Sequence, residues 1–120
     1  VDIAKGVVAA QVNTIQSGYI ASSGATLVEF PTPEETIAAV KNGEADAVLA
    51  DHAYLAPIAA ENSEFVILEE KVLLGGGVGM GIRESDGDLK EKFSAAIDSM
   101  KSDGSLNALI TKWEISEQLF

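Results

Sequence analysis

Short apolar runs alternate with segments of helical period along most of the chain, and this alternation constrains the fold more than any other feature. Strands that alternate with helices of about ten residues predict right-handed β-α-β units and a mostly parallel sheet. The near-continuous apolar character of the strand runs is typical of a sheet covered by helices on both faces. We therefore predict an α/β fold. The predicted strands are Val7–Val12, Thr26–Phe30, Ala45–Ala50 and Phe65–Glu69, and the predicted helices include Ile15–Ser23 and His52–Glu61.

The segment between the second and third predicted strands carries a strong helix start. Thr32 can cap the helix, Pro33 suits the first helical position, and Glu35 completes a capping box. Gly43 is placed to end this helix, as Gly24 is placed to end the one before it.

The last third of the chain has a different character. The Gly75-Gly76-Gly77 run interrupts the alternation and is interpreted as a flexible joint, which divides the chain into residues 1–76 and 77–120. Val78–Ile82 is strand-like, and a helix that begins at Asp86 or Asp88 is predicted to run through Met100. Asp103-Gly104-Ser105 then forms a turn into a last short helix that ends near Trp113.

One apolar stripe runs along the longer of these two C-terminal helices, at three- and four-residue spacing. Phe93 in this stripe and Trp113 in the last helix are interpreted as core residues. The stripe consists of Leu89, Phe93, Ala96, Ile97 and Met100.

Charge and composition exclude several function classes. The 120 residues include 19 acidic and 8 basic residues, for a net charge of −11, so a nucleic-acid backbone or an anionic membrane surface would be repelled. There is no cysteine, which excludes thiolate catalysis and zinc–thiolate sites. His52 is the single histidine and has no second ligand four residues on, so no metal or cofactor is predicted.

Two candidate binding positions follow predicted strands, where ligands bind in open α/β sheets. Gln11-Val12-Asn13-Thr14-Ile15-Gln16 joins the first strand to the first helix, and the free N–H groups of such a turn suit a carboxylate. Asp51 ends the third predicted strand and could hold an ammonium group. The alternatives are that Thr14 and Asp51 only cap their helices. Together the two positions complement a zwitterion such as a free amino acid, whereas Asp46 lies at the opposite end of its strand.

Several short motifs keep a common order and spacing through most of the chain. They are Lys5-Gly6, Gln11 to Gln16, Phe30-Pro31-Thr32-Pro33-Glu34-Glu35, Asn42 to Asp51, Gly79-Met80-Gly81-Ile82-Arg83, Leu89-Lys90, Asp103-Gly104-Ser105 and Lys112-Trp113. In this order they resemble the polar amino-acid-binding proteins of ABC importers, which are two-lobed periplasmic or lipid-anchored receptors with the type 2 periplasmic-binding-protein fold. The resemblance identifies residues 1–76 as the second, ligand-binding lobe. Residues 77–120 would be a hinge strand and C-terminal helices that pack on a first lobe.

The resemblance implies six ligand-binding residues, which are Gln11, Asn13, Thr14, Ile15, Gln16 and Asp51. Thr14 and the N–H of Ile15 would receive the ligand α-carboxylate, Asp51 would hold the α-ammonium, and Gln11 would line the side-chain pocket. The family turn usually reads Gly-Thr-Thr-Gln, and here it reads Asn13-Thr14-Ile15-Gln16. Asn13 tolerates the left-handed backbone that glycine would adopt, and Ile15 lacks the usual hydroxyl.

The resemblance also implies a function and partners. We expect a solute-binding component, not an enzyme, that binds a polar amino acid or an opine-like derivative and docks on ABC importer membrane subunits in the periplasm or outside the cell. A first lobe with an arginine clamp and aromatic pocket walls would precede Val1, so this chain alone should show weak or undetectable binding. We expect Val78–Ile82 and the last helices to fold back on this lobe's own sheet or to swap into a neighbouring copy. A sensor or receptor module and a dehydratase-like enzyme are the alternatives.

Overall fold

The computed structural model describes residues 5–69, 71–116 and 118–120, and the chain divides between Gly76 and Gly77 into two compact units. We call them the first unit and the second unit. The first unit contains β1 (Val7–Gln11), α1 (Ile15–Ser23), β2 (Thr26–Phe30), α2 (Pro33–Lys41), β3 (Ala47–Val48) and α3 (His52–Glu61), and the second contains α4 (Gly87–Ser102) and α5 (Ser105–Lys112).

The strands of the first unit form a parallel sheet in the order β2-β1-β3. β1 pairs with β2 along its whole length, from Val7 opposite Thr26 to Gln11 opposite Phe30. On its other side β1 pairs with β3, where Val8 lies opposite Ala47 and Ala9 opposite Val48. The predicted α/β class with a parallel sheet is confirmed.

The central strand β1 is buried on both faces by helices. Because successive side chains of a strand point to opposite faces, Val8 and Ala10 pack with Ile20 of α1 on one side of the sheet. Ala9 packs with Ala39 and with Ala45, which follows α2, on the other side. This two-sided burial is why the β1 sequence is apolar at every position from Val7 to Ala10.

The helix boundaries of the first unit follow the local signals in the sequence. Thr32 caps α2 in a full capping box, since Glu35 N–H donates to the Thr32 hydroxyl and Thr32 N–H donates to the Glu35 carboxylate. Gly24 ends α1 in the left-handed conformation, with φ of 88°. Gly43, with φ of 74°, lies one residue beyond the cap of α2 at Asn42.

Three predicted strands differ from the structure. The third, predicted over Ala45–Ala50, is reduced to Ala47–Val48, and at its amino end the Asp46 carboxylate accepts the Val7 N–H at 2.8 Å. Phe65–Glu69 does not form a strand, since β3 offers an edge of only two residues to pair with. Val78–Ile82 forms no strand either, although its sequence is strand-like.

The second unit consists of two helices that bury few side chains. The longer helix begins after Asp86, one of the two predicted starts, and Gly104 with φ of 79° separates it from α5. Phe93 is 40% exposed and Trp113 is 66% exposed, so the prediction that they are core residues is wrong for this chain. Two packed helices cover only one side of each other, which leaves the apolar stripe of α4 half-exposed. Among the described residues no helix is both long and apolar enough to cross a membrane.

Candidate functional site

The carboxyl ends of β1 and β3 lie side by side, and the turns that follow them form a cleft of about 240 Å³. This is the position at which open α/β sheets bind ligands, because the strand-to-helix turns leave polar groups free to face outward. The lining residues all follow or lie near the carboxyl end of a strand or the first turn of a helix. They are Gln11, Thr14, Gln16, Pro33, Thr36, Leu49, Ala50, Asp51 and Tyr54.

The turn from β1 into α1 is held by the side chain of Thr14. Its Oγ1 accepts the Ser17 N–H at 3.2 Å and donates to the Gln11 carbonyl at 2.7 Å, so the predicted capping role is confirmed. Asn13 has φ of 60°, in the left-handed region that asparagine tolerates. Because the Thr14 hydroxyl is already engaged, a carboxylate at this turn would be met chiefly by the backbone N–H groups that begin α1.

Asp51 directly precedes α3, but its carboxylate makes no capping hydrogen bond to that helix. Capping is therefore the wrong interpretation of this side chain. Instead, Oδ1 of Asp51 accepts a hydrogen bond of 2.7 Å from Nε2 of Gln16 in α1. The Asp51 carboxylate thus lies at the carboxyl ends of the strands, beside the start of α1.

The structure brings four of the six predicted site residues together. Gln11, Thr14, Gln16 and Asp51 line the same cleft, and Gln11 also donates from Nε2 to the Pro31 carbonyl at 3.1 Å. Asn13 shapes the turn without lining the cleft, and the side chain of Ile15 is 60% exposed and does not line it. The ligand-binding roles of all six residues stay predictions.

Tyr54 is the most informative lining residue that the sequence analysis missed. It lies three residues after Asp51 in the first turn of α3, so helical spacing places both on one side of the helix start. Burial, followed by the nearby negative charge of Glu34, raises the pKa of the Tyr54 phenol above its ordinary value of 10.0. The phenol therefore stays neutral at physiological pH and can donate a hydrogen bond.

The charge of the cleft comes from one side chain. Asp51 is a carboxylate, and none of the other lining residues carries a charge at neutral pH. Asp46 lies at the amino end of the sheet, as predicted, where its carboxylate accepts the N–H of Val7, and His52 does not line the cleft. Within residues 5–69, 71–116 and 118–120, no group of three or more histidine, cysteine, aspartate or glutamate side chains could hold a metal ion.

No family model matches the chain. Two curated relatives match most of it. An ABC transporter glutamine-binding protein from Bacillus subtilis is 30% identical over 89 residues, which are 74% of this chain and 32% of that protein. An L-arginine-binding protein from Pseudomonas aeruginosa is 29% identical over 104 residues, or 81% of this chain and 40% of that protein.

Two solved structures share the fold over nearly the whole chain. A periplasmic His/Glu/Gln/Arg/opine family-binding protein from Silicibacter pomeroyi, in complex with lysine, is 65% identical with a TM-score of 0.82, covering 95% of this chain and 52% of that one. A variant of ArgBP from T. maritima is 29% identical with a TM-score of 0.77, covering 96% of this chain and 50% of that one. The chain therefore spans about half the length of these solved structures and a smaller share of its curated relatives.

Proposed function

We propose that this chain supplies one of two surfaces that close around a free polar amino acid or an amino-acid derivative. Its sequence and fold match part of the amino-acid-binding proteins of ABC transporters. The observation that carries the proposal is the cleft at the carboxyl ends of β1 and β3. It sets one carboxylate beside the N-terminus of a helix, which is the complement of a zwitterion.

Each end of the zwitterion has a partner in the cleft. The Asp51 carboxylate would accept the α-ammonium as a charge-assisted hydrogen bond. The N–H of Ile15 and the positive end of the α1 dipole would receive the α-carboxylate, with Thr14 fixing the turn through its two hydrogen bonds. Gln11 and Tyr54 would then face the ligand side chain, because both line the cleft.

Lysine is the first ligand to test. The lining residues carry one negative charge and no positive charge, and the chain has a net charge of −11, so a ligand with an additional ammonium group is favoured electrostatically. The 65% identical structure from Silicibacter pomeroyi is in complex with lysine, while other relatives are named for glutamine and arginine. Specificity among these three would depend on the second surface as well.

Binding, not catalysis, is the role that the cleft supports. The Thr14 hydroxyl donates a hydrogen bond to the backbone carbonyl of Gln11, and no side chain among the described residues contacts it as a general base. The relatives are solute-binding proteins. We therefore propose that the chain is not an enzyme.

The location and partners follow from the same relatives. We propose a periplasmic or extracellular location and docking of the closed, ligand-bound protein on ABC importer membrane subunits. The first unit would act as the ligand-binding lobe. The second unit would join it to the other lobe, as the resemblance predicts for residues 77–120.

A titration of the 120-residue chain with L-lysine, L-arginine and L-glutamine, followed by NMR, tests the proposal. We expect weak binding, visible as shifts of the amide signals of Thr14, Ile15 and Asp51 but too weak for calorimetry, because one surface supplies half of the contacts. Asp51→Asn should weaken binding and reduce the shifts at each ligand concentration, because it removes the charge that pairs with the ammonium. Asp46→Asn, at the opposite end of the sheet, should leave them in place.

Two outcomes would contradict this proposal. A micromolar dissociation constant for this chain alone would show that the site needs no second surface. Absence of any shift in the cleft with all three amino acids would show that the cleft is not the binding site.

A further inference from the structure

Gln16 and Asp51 are joined by a side-chain hydrogen bond between the starts of two different helices. Nε2 of Gln16 donates to Oδ1 of Asp51 at 2.7 Å, across 35 residues of chain. Both side chains also line the cleft. The contact therefore links the turn after β1 to the turn after β3 at the point where a ligand would enter.

The orientation of the Asp51 carboxylate is not set by its own helix. The first turn of α3 is closed by the N–H groups of Tyr54 and Leu55, which donate to the backbone carbonyl of Asp51 at 3.0 and 3.1 Å. The side chain makes no capping hydrogen bond. An exposed carboxylate without such a bond would rotate among several rotamers, so the contact with Gln16 selects one of them.

Gln16 is well placed to act as this support, because the turn that carries it is rigidly bonded. The Thr14 hydroxyl bridges the Gln11 carbonyl and the Ser17 N–H, and the Ser17 hydroxyl donates to the Thr14 carbonyl at 3.0 Å. Ser17, directly after Gln16, is 6% exposed. The backbone from which the Gln16 side chain extends is thus fixed against the sheet.

We infer that Gln16 is a positioning residue that holds the Asp51 carboxylate ready for a ligand α-ammonium, an inference that rests on the proposed function. A carboxylate offers about four lone-pair sites, so one bond to Oδ1 leaves Oδ2 open to the ligand. The amide is neutral, so it orients the carboxylate without repelling an incoming ammonium, as a lysine or arginine would. Gln16 thereby acts through Asp51 instead of making the direct ligand contact predicted from the sequence.

The test compares Gln16→Met, which keeps the length of the side chain and removes the donor, with Ser22→Ala as a control on the same helix. Ser22 is exposed and donates only to the Tyr19 carbonyl among the described contacts. The probes are L-lysine and ε-aminocaproate, which is lysine without its α-ammonium. Binding of both to the full chain is measured by NMR titration.

We expect Gln16→Met to weaken L-lysine binding about three- to tenfold, the typical net value of one hydrogen bond, because the contact is exposed to solvent. Binding of ε-aminocaproate should be unchanged, and Ser22→Ala should alter neither. In the Asp51→Asn background, Gln16→Met should have no further effect, because residues that act through one another are not additive. Additive losses, or equal losses for both probes, would overturn the positioning role.

A ligand-free readout separates this inference from the proposed function. The side-chain amide signals of Gln16 should move on Asp51→Ala and should not move on Asp46→Ala. Unmoved signals would overturn the positioning role even if L-lysine binds. If the signals move but the wild-type chain binds no L-lysine, the proposed function fails, and the role of Gln16 in ligand binding is overturned with it.

Discussion

The first and second units bury their apolar side chains to very different extents. In the first unit, β1 lies between α1 and α2, and its three central side chains are between 0% and 2% exposed. In the second unit, Ile110 is the one buried side chain among the described residues, and the stripe residues Leu89, Phe93 and Ile97 are 38% to 41% exposed. The difference lies in architecture, since both units contain amphipathic helices.

A sheet with a helix on each face has two apolar interfaces, whereas a pair of helices has one. The first unit can therefore hold a cleft with fixed geometry, because the turns that line it extend from a buried strand. The second unit leaves an apolar face half-exposed, the kind of surface that proteins often use to contact a partner. A first lobe or a neighbouring copy is the predicted occupant of that face.

The largest expected effect is on the free energy of unfolding, when isoleucine is replaced by alanine at one position in each unit. Ile20→Ala in the first unit removes a side chain that is 2% exposed, and we expect a loss of about 2–5 kcal/mol in the free energy of unfolding. Ile97→Ala in α4 removes one that is 38% exposed, and we expect a loss below about 1 kcal/mol. Native-state hydrogen exchange measures both, because it reports the opening free energy of each unit.

Equal losses at the two positions would contradict this contrast. They would show that Ile97 is buried in solution, and a dependence on protein concentration would then identify a second copy as its cover.

The first unit was more predictable from sequence than the second. Its helix limits follow from local chemistry, such as the Thr32 capping box and the left-handed Gly24, which act within a few residues. The wrong predictions concern pairing and burial, which depend on distant partners. Val66 and Leu68 have strand-like character, but β3 offers too short an edge to pair with them. Trp113 has core-like spacing, but the second unit has no further layer to cover it.

The candidate site was predicted in position but not in its contacts. The rule that ligands bind beyond the carboxyl ends of parallel strands located Gln11, Thr14 and Asp51 in one cleft. The bond from Gln16 to Asp51 joins residues that are far apart in the chain, so spacing could not reveal it. Tyr54 could have been found, because it lies one helical turn after Asp51.

A smaller effect on the free energy of unfolding is expected from the residues that precede α2 in the first unit and α4 in the second. Thr32→Ala removes the capping box of α2, and we expect a loss of about 1 kcal/mol in the free energy of unfolding. Asp86 precedes α4 without a side-chain cap, and its carboxylate pairs with the exposed guanidinium of Arg83 at 2.7 Å. Asp86→Ala should therefore cost about 0.5 kcal/mol or less.

Thr32→Ser serves as the control for the capping variant, because it keeps the hydroxyl acceptor and should keep most of the stability. A loss at Asp86 as large as that at Thr32 would show that α4 depends on this residue as much as α2 depends on its cap.

The smallest expected effect concerns a local polar contact in the second unit. Hydrogen bonds from the side chain and then the backbone N–H of Ser105 lower the pKa of Asp103 below its ordinary value of 3.8. Because the folded pKa is the lower one, the contact stabilises the start of α5 above pH 3.8 and is lost as the pH falls through the folded pKa. The amide signal of Ser105 should therefore titrate by NMR with a midpoint below 3.8.

Asp103→Asn keeps an oxygen acceptor and removes the charge, so it should abolish the titration while α5 stays helical. A midpoint at or above 3.8 would show that the turn between α4 and α5 does not hold the Asp103 carboxylate. The second unit would then lack one of the local contacts that offset its small buried core.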